Sequence, residues 1–434
     1  MDFLENKPEQ RPEEISQEVR DLMSMLKARA LSGIITSFRS PRVLFGMTPL
    51  NRITNILDAN LEEGERRVLI ITDDFTEKFS SQISNAFSKV NIESKVWSGV
   101  KPEGPFDTID EAVKICEDFK PKVFVAIGGG SVIDTTKGLM IKYEKPETNL
   151  FTVSPLTPLG LRKKIKYFIA IPTTSGTGSE VTLASMLTDI YRDPPKKFIV
   201  SHPELIPDYA VLITDFVQDM PPFLTMATGL DALAHATGAY VSVWGTPFAD
   251  AMNIYAIKEI IKYLPRAYKY GAKDLEARSH MQIAALMAGL GFIHSRVGFD
   301  HALGHSLGKV LNVHHGLCVG MFLPYTIAFQ AKISERWKDL CPLFEIDSKD
   351  KDNNELFIEF LQSVKDFIHS LDGPVCVKEI KNPVISEEDY NKNLDLLVNY
   401  AETDPVALMS PRYIDSEIIK RIYEYAWDGR TIDF

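Results

Sequence analysis

Four apolar runs in the first half of the chain each stop abruptly at glycine, proline or polar residues, and this rhythm restricts the fold more than any other feature. Val68 to Ile71 ends at Thr72, Asp73 and Asp74, and Val123 to Ile127 ends in Gly128, Gly129 and Gly130. Tyr167 to Ile171 ends at Pro172, and Ala210 to Ile213 ends at Thr214 and Asp215. A run that is apolar throughout reads as a strand buried on both faces, and helical segments between such runs imply a parallel sheet. Ligands of open α/β sheets bind beyond the carboxyl ends of the strands, where this chain carries its polar and glycine-rich punctuation. After about residue 218 the periodicity becomes helical, with segments 250–268, 274–293, 354–370, 387–402 and 415–427 reading as helices. The expected organisation is an α/β domain over residues 1–218 and an all-helical domain over 219–434. Residues 13–30, with Ile15, Val19, Leu22 and Leu26 on one stripe, predict an added N-terminal amphipathic helix. The charge-dense stretch from Asp347 to Glu355 reads as a surface loop.

The formal charge of -11 argues against a nucleic-acid partner, which would need a basic face. Cys116, Cys318, Cys341 and Cys376 are scattered and form no CxxC pair, so neither a disulfide framework nor a thiolate zinc site is expected. The first residues are charged and lack the apolar core of a signal peptide, and no membrane span is evident; a cytoplasmic location is expected.

Asp231 and His235 stand four residues apart, on one face of a helix. His301 and His315 follow in a second stretch, where five of the nine histidines fall between residues 294 and 315. Three imidazoles and a carboxylate make a donor set that suits Zn²⁺ or Fe²⁺ better than the oxygen-seeking Mg²⁺ or Ca²⁺. The bland alternative is a hydrogen-bonded helix pair beside ordinary core histidines. In the first half, Gly129, Gly130 and Ser131 open a helix directly after a strand, which suits phosphate binding at the helix N-terminus or merely a tight turn. This is not the GxGxxG fingerprint. Asp134 and Lys137, one turn further on, read as a surface pair or as residues that orient the loop. The hydroxyl-rich loop from Pro172 to Glu180 follows the next strand, and two such loops favour one dinucleotide. Asp73 either accepts bonds from ribose hydroxyls, which would favour NAD over NADP, or caps the following turn.

Taken together, GGGSVIDTTKG (128–138), PTTSGTGSEVT (172–182), GLDALAHA (229–236) and HALGHSLGKVLNVHHG (301–316) resemble, in order, the hallmark blocks of the iron-containing (group III) alcohol dehydrogenases. SPRYIDSEI (410–418) resembles a weaker one. The resemblance covers most of the chain from about residue 40. It implies a dehydroquinate-synthase-like dinucleotide-binding domain with a parallel sheet, followed by an all-α metal-binding domain. It implies Asp231, His235, His301 and His315 as metal ligands, and His305 as a non-ligand catalytic histidine near the nicotinamide. Cofactor contacts implied are Asp73, Gly129, Gly130, Ser131, Asp134, Thr173, Thr174, Thr182 and Lys197.

The activity implied is hydride transfer between a small alcohol or aldehyde and NAD, with NADP second. Fe²⁺ is the implied metal, with Zn²⁺ next, and a homodimer or larger homo-oligomer is implied. A hydroxyacid–oxoacid transhydrogenase and a dehydroquinate-synthase-like lyase are the alternatives. Four positions depart from the pattern: Thr237-Gly238 replaces a frequent Ile-Glu, His294 an Asn, Arg296 a Gly, and Glu103 an Asn. These departures, with His314, have no assigned role, although a carboxylate-bearing substrate is one expectation for Arg296.

Overall fold

The computed structural model of the chain describes residues 38–191 and 195–434. The helix expected over residues 13–30 lies outside the described residues. Two compact units divide at Met220 and Pro221.

The first unit is an α/β layer structure. Its elements are β1 (Arg42–Leu44), α1 (Pro49–Asn60), β2 (Arg67–Ile71), α2 (Ser80–Ser88), β3 (Glu93–Trp97), α3 (Thr108–Phe119), β4 (Val123–Gly128), α4 (Gly130–Glu144), β5 (Tyr167–Pro172), β6 (Ala184–Asp189), β7 (Lys196–Ser201) and β8 (Tyr209–Val211). Six strands form one sheet in the order β1-β8-β5-β4-β2-β3, every pairing parallel. Successive side chains of a strand point to opposite faces. Thus Leu69, Ile71, Phe124, Ala126, Phe168 and Ala170 pack on one side with Ile109, Cys116 and Ile133. Val68, Ile70, Val125, Ile127, Ile169 and Ile171 pack on the other with Ile53, Leu57 and Phe87. Coverage on both faces is the physical cause of the unbroken apolar runs. Sequence reasoning missed β1 and β3 because they are the sheet's edges. β1 is only three residues long, and β3 exposes most of its side chains. It also missed the antiparallel pair β6-β7, which forms a separate two-stranded sheet.

Lys137 and Asp134 are no surface pair. Lys137 is fully buried on α4. Its Nζ donates to the carbonyls of Ala184 (2.6 Å) and Ser179 (2.9 Å) and to the hydroxyls of Ser179 (3.0 Å) and Thr182 (3.1 Å). Asp134 binds the Ser179 hydroxyl and, through Oδ2, accepts from the Met186 amide at 3.0 Å. Burial pushes the Lys137 ammonium below its ordinary range, against the pull of the Asp134 carboxylate. These bonds tie α4 to the loop after β5 and to β6.

The second unit is helical: α5 (Pro222–Val241), α6 (Pro247–Tyr270), α7 (Leu275–Ser295), α8 (Phe299–Val310), α9 (His315–Ala331), α10 (Asn353–His369), α11 (Glu387–Glu402) and α12 (Ser416–Asp428), with short 3₁₀ turns between some of them. One apolar core joins them. Every residue of α5 from Thr225 to Val241 is buried, the condition of a helix packed all round. The acidic loop is exposed from Asp347 to Asp350 but ends at Asp352, which caps α10 in a capping box with Glu355. None of the described helices is long and apolar enough to cross a membrane.

Replacing Lys137 with Met leaves several buried acceptors without their shared donor. The expected cost is about 3 kcal/mol of stability, read as a lowered urea midpoint.

Candidate metal centre and cofactor loops

Asp231 lies in the middle of α5, 2 % exposed, and the imidazoles gather around its Oδ1. His315 Nε2 is 3.5 Å away, and His235 Nε2 and His301 Nε2 are each 3.7 Å away. These separations are too long for good hydrogen bonds. They match the ~3.4 Å between ligand atoms that share a tetrahedral ion at ~2.1 Å. Asp231 Oδ1 and His301 Nε2 are buried with no hydrogen-bond partner, a costly arrangement that a cation would relieve. One donor atom each from Asp231, His301 and His315 lies within 4.8 Å of the others. His235 does not belong to that mutually close trio. Its ring stacks on His301 at 4.5 Å, and its Nε2 lies 3.7 Å from Asp231 Oδ1. The donor set therefore fits a borderline divalent metal.

Local sequence builds this convergence. Asp231 and His235 share a face of α5 by their four-residue spacing. His301 stands in the first turn of α8, and His315 opens α9. Gly316 lets α9 press against α5, since a Cβ there would lie 2.2 Å from the Ala227 carbonyl oxygen and 3.1 Å from Asp231 Cβ. Burial alone would raise the Asp231 carboxyl, but the three imidazoles outweigh it and hold the group well below the usual carboxylate range. For His301, burial pulls downward while Asp300 and Asp231 outweigh it, raising the imidazole to about 9.

Two carboxylates that sequence reasoning did not single out hold histidines from behind. Asp300 Oδ2 is 2.6 Å from His301 Nδ1, and Asp404 Oδ2 is 2.7 Å from His305 Nδ1. Asp300 at least adjoins its histidine in the chain. Asp404 comes from 99 residues away and left no signal. Burial would raise Asp404, but the His305 imidazole outweighs it and holds the carboxyl low. The His305 ring stacks on His315 at 5.0 Å. His314 is turned elsewhere, edge-on to Phe223, and His294 stacks on Phe38. Arg296 forms no surface salt bridge with any described residue. Its backbone (φ 68°, ψ 164°) occupies a region that glycine ordinarily takes.

In the α/β unit, three loops leave the carboxyl ends of the neighbouring strands β2, β4 and β5. Gly129 precedes α4, with Gly130 and Ser131 in its first turn. The Thr173 amide donates to the Gly128 carbonyl at 3.0 Å, and Thr174 is half-buried on the next loop. Asp73 caps its own turn: Oδ1 accepts from the Phe75 amide (3.0 Å), the Thr76 amide (2.8 Å) and the Thr76 hydroxyl (2.8 Å). The Thr72 hydroxyl donates to the Ile127 carbonyl at 2.9 Å, and the Thr76 hydroxyl lies 3.0 Å from the same oxygen, which pins that turn to the end of β4. Asp134 and Thr182 belong to the Lys137 network. Lys197, on β7, lies 3.8 Å from Glu103.

Glu180, in the same loop as Ser179, is buried, and burial pushes its carboxyl up to about 7. A carboxyl raised on folding binds more protons in the folded chain than in the unfolded one between the two pKa values, so stability falls as pH rises through that window. Between about pH 5 and pH 8 the urea midpoint is expected to decline, by up to about 3 kcal/mol of stability, and Glu180→Gln is expected to flatten the decline.

Comparison with known proteins places the sequence among them. The iron-containing alcohol dehydrogenase profile matches residues 40–214, and the C-terminal profile of the Fe-containing alcohol dehydrogenase family matches residues 225–427. The chain is 32% identical over 402 residues to the NADPH-dependent butanol dehydrogenase of Clostridium saccharobutylicum, covering 92% of this chain and 99% of that protein. It is 30% identical over 402 residues to the bifunctional aldehyde-alcohol dehydrogenase AdhE of Escherichia coli (strain K12), covering 86% of this chain but 44% of that longer protein. A solved iron-containing alcohol dehydrogenase from Thermococcus thioreducens superposes with a TM-score of 0.80 at 30% identity, over 91% of this chain and all of the other.

Proposed function

The chain belongs to the iron-containing alcohol dehydrogenase family, and we propose that its helical unit holds one Fe²⁺ through Asp231, His301, His315 and His235 while its α/β unit binds NAD. The observation that carries the metal reading is the meeting of buried Asp231 and His301 with partly exposed His315, with an anionic oxygen and an imidazole nitrogen left unbonded. Zn²⁺ is the second choice, because the donor set accommodates either ion. His235 completes the set by a small ring adjustment from its place 3.7 Å from Asp231.

When bound, the metal would supply Lewis acidity toward an alcohol hydroxyl, and the nicotinamide would supply a hydride acceptor. The chain's own residues do the rest. Asp231 brings the one negative charge of the set into a water-poor helix interior, where its attraction for a cation is strong. Asp404 holds Nδ1 of His305, which leaves Nε2 to take up or pass on the hydroxyl proton. The amides at the start of α4, with Thr173 and Thr174, supply donors for a pyrophosphate. Lys197 would hold the nicotinamide ribose of a bound cofactor. Asp134 and Thr182 support the cofactor from behind, holding the loops through Lys137. Small primary alcohols and the corresponding aldehydes are the proposed substrates, and a homodimer or larger assembly, readable by light scattering, is the proposed state.

Metal analysis joined to a substrate panel read by nicotinamide absorbance tests the scheme. His301→Ala is expected to lose metal and to lower turnover by at least about a thousandfold. Full activity in metal-stripped protein would refute it. Release of NADH on each turnover distinguishes a dehydrogenase from a transhydrogenase that retains its nucleotide.

NAD is proposed over NADP because the Asp73 carboxylate repels a 2′-phosphate, although the Clostridium relative is named for NADPH. Asp73→Asn keeps the oxygen that caps the turn and removes the charge. It is expected to narrow the NADH-over-NADPH ratio of kcat/KM by about tenfold, and an unchanged ratio would exclude Asp73 from the selection.

A further inference from the structure

Asp300 is 1 % exposed, and its Oδ2 lies 2.6 Å from Nδ1 of His301. Nδ1 is the imidazole nitrogen turned away from Asp231; Nε2 is the one facing it. A buried carboxylate on Nδ1 keeps the proton there and leaves the Nε2 lone pair for a metal. It also makes that lone pair a stronger donor.

The room for this carboxylate is built into two other positions. A Cβ on Gly298 would fall 2.2 Å from Asp300 Oδ1 and 2.8 Å from Gly238 Cα. A Cβ on Gly238 would fall 2.7 Å from Gly298 Cα and 3.0 Å from Asp300 Oδ1. The two glycines bring the backbone of α5 against the turn before α8, and Asp300 Oδ1 occupies what remains of the gap.

We propose that Asp300 is a positioning residue for the metal: it fixes the orientation and tautomer of His301, and Gly238 and Gly298 are the space it requires. This rests on the metal reading above and refines it, naming a supporting carboxylate outside the ligand set. Asp300 is buried and meets His301 at Nδ1, the nitrogen turned away from Asp231, so its signature is metal affinity in the resting protein.

The test uses full-length protein stripped of metal and titrated with Zn²⁺ against a chromophoric chelator, for the parent, Asp300→Ala, Asp300→Asn and His315→Ala. Asp300→Ala is expected to weaken Zn²⁺ binding 10- to 100-fold. Asp300→Asn, which can still accept from Nδ1 but carries no charge, is expected to fall between Asp300→Ala and the parent. The absorption spectrum of the Co²⁺-loaded protein is expected to shift in both, while NADH binding, followed by fluorescence, stays at the parental value. Parental Zn²⁺ affinity in both Asp300 variants would overturn the proposal. Should Asp300→Ala fail to fold, Asp300→Asn decides: binding weakened at least about threefold supports the role, and parental binding removes it. If His315→Ala binds Zn²⁺ as the parent does, the metal reading itself fails and this refinement falls with it. If His315→Ala loses the ion and the Asp300 variants do not, only the refinement fails.

Discussion

A single carboxylate oxygen, Asp231 Oδ1, carries the greatest constraint in the helical unit. It is buried in a helix packed on all sides, has no hydrogen bond, and is approached by three imidazole nitrogens at 3.5 to 3.7 Å. An isolated buried charge costs several kcal/mol, and a fold keeps one only where something of opposite charge offsets the cost. The surrounding imidazoles supply part of that offset, and a divalent cation would supply the rest. The close approach of α9 to α5 at Gly316 and the turn that opens α8 serve this one point, because each delivers a histidine to it.

The α/β unit solves a different problem with the same economy of charge. Its loops must be polar enough to bind a nucleotide, yet they leave a sheet buried on both faces. Lys137 and Asp134 resolve this from inside: a buried ammonium gathers carbonyls and hydroxyls of the loop after β5, and a half-buried carboxylate takes the Ser179 hydroxyl and the Met186 amide. Loops held rigid in this way lose less entropy on binding a ligand than mobile ones. Family membership says which activity the two units serve, whereas these networks say why the chain holds its shape while serving it.

Much of this was legible in residue order. The buried strands β2, β4 and β5 announced themselves as apolar runs because both of their faces are covered. The edge strands β1 and β3 did not, since an edge strand borrows its pattern from whatever water it meets. Asp231 and His235 were visible through helical spacing, and His301 and His315 through clustering. The structure then separates them: Asp231, His301 and His315 meet as a trio, and His235 stands beside it, stacked on His301. Asp73 carried two readings, and its turn-capping bonds are now explicit.

Amino-acid order alone determined the buried strands β2, β4 and β5, the helices α6, α7, α10, α11 and α12, and which side chains can bind a cation or a phosphate, because periodicity and donor chemistry are local properties. Only the tertiary structure decided which carboxylate stands behind which histidine. Asp404 reaches His305 across 99 residues, and Asp300 finds its place because two glycines on different segments let backbones touch. Such pairings follow from how helices pack, and packing depends on the summed shape of many distant side chains, which no local pattern encodes.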